Sequence, residues 1–334
     1  MKLLRVLVRL IGVFLLLLGA AALVAAWVAL RPIPMSKPVV DFDIAPGMSM
    51  KRISAQLADA GLDIWPAGLT MLARFNGDAT RIKAGSYRID KPVNMLELVA
   101  LMSSGANAYA DLTIVEGWTF ARLRLALASH PDLKQDSAGL DEADIMARIG
   151  FPGVPAEGMF APDTYSFSRG ASDFEVLRRA AQHMQLRLEQ AWSKRAADVP
   201  LKTPYEALVL ASVVEKETGR ADDRLNVASV FVNRLRIGMP LQSDPTVIYG
   251  LGSGFDGNLR RRDLQADTPF NSYTRRGLPP TPISLPGKAA LEATLNPAQG
   301  KFLYFVARGD GTSAFSSTLD EHNRAVARYQ RAGK

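Results

Sequence analysis

The apolar residues of this chain are patterned in several distinct ways, and each pattern predicts a different element. From Leu10 to Leu30 they run unbroken for 21 residues, LIGVFLLLLGAAALVAAWVAL, with no charge. A helix of about 20 such residues matches the roughly 30 Å hydrocarbon core of a bilayer. The proline-rich stretch RPIPMSKPVV follows and reads as an extended tether. Alternation then sets in around Val39–Ile44, which predicts a strand, with Pro46-Gly47 as a turn. Met50–Ala60 returns to helical spacing and is closed by Gly61; a second helix is expected over Pro66–Phe75. Ile82–Asp90 reads as a strand bent at Gly85, and Met95–Gly105 as a third helix. Strand, helix, helix and strand in this order outline a small βααβ module. By pattern alone it is equally a glycan-binding fold of the LysM type or a spacer that binds nothing.

Beyond Ala110 the elements lengthen. YADLTIVEGWTFARLRLALASH predicts a strand, then Gly117 and an amphipathic helix, with a further helix over Asp141–Arg148. Ala156–Gly170, AEGMFAPDTYSFSRG, reads as a loop, and Asp173–Trp192 as a long helix. A turn around Pro200 and Pro204 leads to helices over Tyr205–Thr218 and Leu225–Gly238. From Met239 to Gly287 regular periodicity is lost and Pro, Gly, Asn and Asp accumulate. So long an irregular region inside a domain is more often a binding region than idle chain. KAALEATLNP forms one more helix, KFLYFVARG a strand, and TSAFSSTLDEHNRAV a turn into a last helix. The fold class is α+β, and 334 residues suffice for about two domains.

Charge places the apolar run. Lys2, Arg5 and Arg9 precede it, which puts the N-terminus in the cytoplasm under the positive-inside rule. A cleaved signal peptide is the competing reading, but this run is longer than a signal's apolar region and is followed by Arg31-Pro32 rather than an A-x-A site. Residues after about 38 are therefore expected outside the cytoplasmic membrane. With 48% hydrophobic and 22% charged residues the remainder is ordinary globular chain. The absence of cysteine rules out disulfides, thiolate metal sites and a cysteine nucleophile. The net charge of +7 does not indicate nucleic acid, because three cations flank the apolar run and the rest are interspersed with acids. Mild basicity fits an anionic surface such as cell wall or lipid headgroups.

Candidate chemistry converges on ASVVEKETGR, residues 211–220. Glu215 and Glu217 stand two positions apart on a helix, about 200° of rotation, so they face opposite sides and cannot share a proton. A two-carboxylate glycosidase needs both groups facing one sugar bond. Glu217 follows Leu210, Val213 and Val214 on an apolar stripe at the negative end of the helix dipole, with Gly219 expected to end the helix. Both effects favour a neutral carboxyl, as a general acid requires. A solvated last-turn residue between Lys216 and Arg220 is the alternative, and the pattern alone leaves it open. Glu215 reads as a structural ion-pair partner of Arg220, Arg224 or Arg234. His130, His183 and His322 are too scattered for a metal site, no G-x-S-x-G elbow occurs, and GLGSGFDG (250–257) lacks the residues of a phosphate loop.

Read together, ASVVEKETGR, VASVFVNRLRIGMPLQSDPTVIYG, TPFNSYTRRGLPPTPISLPG and LYFVARGDGTSAFSSTLDEHN closely resemble the YceG-like family of endolytic murein transglycosylases. IKAGSYRI, VEGWT and EGMFAPDTY add to the match. The resemblance implies a cytoplasmic tail (1–9), a transmembrane helix (10–30), a linker (31–38), a LysM-like module (39–108) and a mixed α+β catalytic domain with a lysozyme-like catalytic helix (109–334). It implies a bacterial inner-membrane enzyme with its catalytic domain in the periplasm. That enzyme cleaves the β-1,4 MurNAc–GlcNAc bond of nascent peptidoglycan strands and leaves 1,6-anhydro-MurNAc ends. The family's catalytic glutamate maps to Glu217, acting as acid and then base, with no cofactor or metal. Peptidoglycan synthases are implied partners. Candidates to hold the glycan are Gln242, Asp244, Thr246 and Tyr249, Asn271 and Tyr273, and Asp163 and Tyr165. A non-catalytic peptidoglycan-binding scaffold is the rival reading.

Overall fold

A computed structural model describes residues 2–105 and 109–331, with side chains for 10–105 and 109–330. The side chains of Lys2, Arg5 and Arg9 lie outside the described residues, as does residue 108, the last of the expected LysM-like module. The chain forms two units, Met1–Ala110 and Asp111–Lys334.

The first unit opens with helix α1, Lys2–Leu30, whose segment Leu10–Leu30 is long and apolar enough to cross a membrane. Strand β1, Val40–Ile44, buries Val40, Phe42 and Ile44 and exposes Asp41 and Asp43, the two-residue period of a half-buried strand. It pairs antiparallel with β2, Gly85–Ile89, in the register Val40↔Ile89 to Ile44↔Gly85. Between them, α2 (Met50–Ala60) buries Met50, Ile53 and Leu57, and α3 (Pro66–Phe75) buries Leu69 and Ala73. Gly61 ends α2 at φ 114°, a backbone conformation that side chains other than glycine's resist. Helix α4, Met95–Ser104, starts from a capping box between Asn94 and Glu97 and closes the core with Leu98 and Met102.

Strand β3 (Tyr109–Ile114) enters the second unit and leads into α5 (Phe120–Ala128), β4 (Leu133–Lys134) and α6 (Glu142–Ile149). Strand β5, Asp163–Ser168, pairs with β3, so part of the expected loop 156–170 is strand. The alternation that buries Tyr165 and Phe167 while Asp163, Thr164 and Ser166 stay exposed is the reason. Strand β6 (Ala171–Ser172) pairs parallel with β4, and α7 (Asp173–Ser193) is capped by Ser172. Helices α8 (Pro204–Glu217), α9 (Ala221–Arg236), α10 (Asp244–Leu251), α11 (Arg261–Gln265) and α12 (Lys288–Leu295) follow. The region expected to be irregular thus contains two short helices. Asp244-Pro245, which reads as a turn, is the first turn of α10, where proline's missing N–H costs nothing. Strands β7 (Tyr304–Ala307) and β8 (Ser313–Ser316) form an antiparallel hairpin where one strand and a turn are expected, and α13 (Leu319–Val326) follows.

Helix α8 is the centre of this unit. Every residue from Ala207 to Val214 is buried, a helix apolar all round, and α7, α9, α10 and α12 pack against it.

Candidate active site

Helix α8 begins at Thr203, whose hydroxyl accepts from the Glu206 N–H, with Pro204 at its first position. It ends at Thr218 in extended conformation; Gly219, the expected terminator, does not supply a left-handed cap. The helix therefore runs buried through the unit and releases its last turn, with both carboxylates, at a surface.

The two glutamates diverge as the two-residue spacing requires. Glu215 accepts from the Gly287 N–H at 2.8 Å. A Cβ at Gly287 would meet the carboxyl of Glu116, which would have to swing aside to admit it. Among the described residues Glu215 makes no ion pair, contrary to expectation: a backbone N–H holds it, and burial raises its pKa. Arg220 pairs with Asp222 instead, and Arg234 turns toward the other side of the helix.

Glu217 points to the loop that enters α10. Ser243 Oγ donates to Glu217 Oε1 at 2.5 Å, and Ser243 is 1% exposed. Burial of the carboxyl pushes the Glu217 pKa up from 4.5 to about 7, with Asp244 adding to the rise; the Ser243 hydroxyl and the Arg234 charge oppose it. Arg234 is itself buried. Its Nε donates to Leu303 O (2.7 Å) and its Nη1 to Leu241 O (2.6 Å), and its guanidinium stands 5.4 Å over the Tyr304 ring.

Ser243 is held by a closed set of bonds. Its N–H donates to Ser272 Oγ (2.9 Å), Ser272 Oγ meets Thr246 Oγ1 (2.8 Å), and Thr246 Oγ1 donates to Ser243 O (2.7 Å). Gln242 N–H donates to Ser272 O (3.0 Å). Gln242 sits at φ 50°, unusual for any residue but glycine, and its exposed side chain is carried beside the carboxyl's partner. Tyr273 Oη donates to Asp244 Oδ1 at 2.5 Å.

Of the residues expected to hold a ligand, Gln242, Asp244 and Tyr273 are gathered on the Glu217 side. The others are committed elsewhere. Thr246, 0% exposed, braces Ser243. Asn271, also 0% exposed, donates to the carbonyls of Asp263 (3.4 Å), Leu264 (3.1 Å) and Ala266 (2.6 Å) and holds the loop after α11. Tyr165 is a core residue whose hydroxyl donates to Ala161 O (2.8 Å), and Asp163 pairs with Arg187 at 2.6 Å. Tyr249 packs edge-on against Phe270 and donates to Glu157 Oε2 at 3.1 Å.

Sequence reasoning missed Ser243, Ser272 and Glu157. All lie inside quoted motifs, but a small hydroxyl in a loop, or one acid before a glycine, carries no periodic signal. Glu157 is buried, with its pKa raised to about 7 by desolvation. It accepts from the Phe120 N–H (3.0 and 3.1 Å), an N–H left unpaired by the start of α5. Among the described residues no group of three or more His, Asp or Glu is placed to hold a metal. One buried, neutral-leaning carboxyl with a fixed donor on one oxygen can deliver a proton from the other and take one back.

Residues 42–328 match the YceG-like family. An endolytic murein transglycosylase of Bacillus subtilis (strain 168) is 30% identical over 311 residues, 88% of this chain and 86% of that protein. A protein of the same name from Streptococcus pneumoniae serotype 2 (strain D39 / NCTC 7466) is 28% identical over 328 residues, and the matched region spans 59% of its length. A crystal structure of a yceG-like protein from Listeria monocytogenes superposes with a TM-score of 0.55 at 30% identity, covering 86% of this chain and 99% of that one.

Proposed function

The chain belongs to the YceG-like family, and from that membership and the setting of Glu217 we propose that it is an endolytic murein transglycosylase. The reading rests on one observation above all: at the end of α8 the Glu217 carboxyl takes the Ser243 hydroxyl on one oxygen, with Gln242, Asp244 and Tyr273 gathered beside it.

In this reading Ser243 donates to Oε1, so the acidic proton sits on Oε2. Glu217 passes that proton to the glycosidic oxygen as the bond to MurNAc C1 breaks. The muramoyl C6 hydroxyl then closes onto C1 and returns its proton to the carboxylate. No water enters, the products are a free GlcNAc hydroxyl and a 1,6-anhydro-MurNAc end, and Glu217 regains its starting state. The hydrolytic mechanism uses two carboxylates; here the substrate supplies the nucleophile. A pKa near the working pH suits a group that must be acid and base in turn. Gln242, Asp244 and Tyr273 would bind the sugars.

We further propose that α1 anchors the chain in the inner membrane, N-terminus cytoplasmic and second unit periplasmic. The β1-α2-α3-β2 order supports a LysM-like reading of residues 39–108, and α8 is the counterpart of a lysozyme-like catalytic helix in the domain from 109 onward. Peptidoglycan synthases remain partners proposed from the family alone.

Digestion of purified peptidoglycan by the full chain tests the reading. Mass spectrometry is expected to find muropeptides one water lighter than reducing-end products; reducing ends alone would mean hydrolysis, and no release would leave the scaffold. Activity should fall as pH rises through about 7, because the free enzyme must carry the proton. Ser243→Ala removes a donor that lowers the Glu217 pKa, so the fall should move to higher pH. The rate should drop about tenfold, the worth of one hydrogen bond to a charged group. A pH profile identical to wild type would remove Ser243 from the mechanism.

A further inference from the structure

Helix α3 has two apolar faces, and the core of the first unit covers only one. Leu69 and Ala73 are buried in that core. Met71 and Phe75 point away from them, and with Trp65 they are 65%, 97% and 60% exposed, respectively. A surface helix ordinarily turns polar residues outward. Trp65, Gly68, Met71, Leu72 and Phe75 form one wall of a cleft of about 970 Å³. The facing wall is α1, from Ala20 to Leu30, which packs on α4 in the same unit. Near its end Trp27 is exposed, with the Arg31 guanidinium 5.4 Å over its ring, an aromatic and a cation where a span leaves the hydrocarbon.

The length of α1 sets the depth of this cleft. The 21 residues Leu10–Leu30 rise about 31 Å, which matches a hydrocarbon core of roughly 30 Å with nothing to spare. The stretch Ala20–Leu30 therefore occupies the half of the slab nearest its exit. Lifting α3 into water would drag that stretch out with it. The exposed face of α3 stands across the cleft from the same stretch, at the same depth.

We propose that the first unit is seated in the bilayer, with Trp65, Met71 and Phe75 immersed in the leaflet that α1 exits and lipid acyl chains filling the cleft. This rests on reading α1 as a membrane span. Continuity decides the occupant: whatever solvates the flank of α1 also solvates the cleft that flank lines. The seat holds the unit at the membrane surface by a helix face as well as by the anchor.

The chain has no cysteine, so single-cysteine variants of the full chain can each carry one nitroxide. Phe75→Cys and Met71→Cys probe the face, Leu18→Cys the span, and Lys51→Cys the exposed polar side of α2. In phosphatidylethanolamine–phosphatidylglycerol vesicles, collisions with dissolved oxygen are compared with collisions with a water-soluble nickel chelate. The oxygen-to-nickel ratio at positions 75 and 71 is expected to lie several-fold above that at 51 and close to that at 18. A ratio like that at 51, with 18 still in lipid, overturns the proposal and leaves the anchor standing. If 18 also reports water, the anchor reading falls and the proposal with it. Shielding of position 75 from both reagents overturns the proposal in favour of protein cover. Spin–spin broadening that fades on dilution with unlabelled chain would then identify a second copy, and its absence this chain's own surface.

Discussion

Glu217→Gln is expected to abolish release of anhydro-muropeptides from peptidoglycan while the fold is retained. A positioned general acid is worth about 10²–10⁴ in rate, and in the proposed mechanism the same group serves both steps, so the loss should reach or exceed the upper part of that range. The amide keeps the shape of the neutral acid, and its oxygen can still accept from Ser243 Oγ, now 2.5 Å from Glu217 Oε1. What it lacks is a proton to give. Glu215→Gln is the matched control, because an amide oxygen can still accept from the Gly287 N–H; that variant should keep most of its activity. Mass spectrometry of the digests, with circular dichroism of the proteins, decides the matter. Undiminished anhydro product from Glu217→Gln would end the assignment of this residue.

The second large effect is on stability and its dependence on pH. Glu157 and Glu217 have pKa values raised from 4.5 to about 7, both chiefly by burial. Below about pH 4.5 both groups are protonated in the folded and the unfolded chain, and neither affects the balance. Between about 4.5 and 7 the unfolded chain releases protons that the folded chain keeps, so stability falls as pH rises and levels off above about 7. Each shift corresponds to about 3 kcal/mol at pH 8. Glu157→Gln should therefore unfold at higher urea than wild type at pH 8 and show little or no advantage at pH 4.5. Its amide oxygen can still take the Phe120 N–H, which wild type bonds at 3.0 Å. Urea unfolding of the detergent-solubilised chain at the two pH values measures it; a difference that does not change with pH would show that Glu157 does not titrate in this window.

That a protein of this kind would carry two such carboxyls has different reasons at the two places. At Glu217 the raised pKa serves the proposed acid–base role. At Glu157 the carboxyl caps α5 and takes the Tyr249 hydroxyl at 3.1 Å, tying the 156–160 loop to the end of α10. Helix α8 is thereby flanked by a second polar joint that no local pattern announces.

Local periodicity was enough for the elements with strong, repeated signals. The apolar run Leu10–Leu30, the alternation of Val40–Ile44, the helices α2, α3, α7 and α8 and the opposite facing of Glu215 and Glu217 follow from spacing, because side-chain direction on a helix or strand is set by residue number. The long motifs around Glu217 sufficed to identify the family. Three-dimensional closure decided the rest. Only when residues 241–246 fold against 271–273 do Ser243, Ser272 and Thr246 form their ring and aim a hydroxyl at Glu217. The same closure turns Asn271 and Thr246 into braces, sends Tyr165 to the core and gives Glu215 a backbone partner in place of an arginine. A hydroxyl or amide carries the same chemistry in a brace as in a binding site; which it serves depends on the groups that distant parts of the chain bring within 3 Å, and that distance has no period in the sequence.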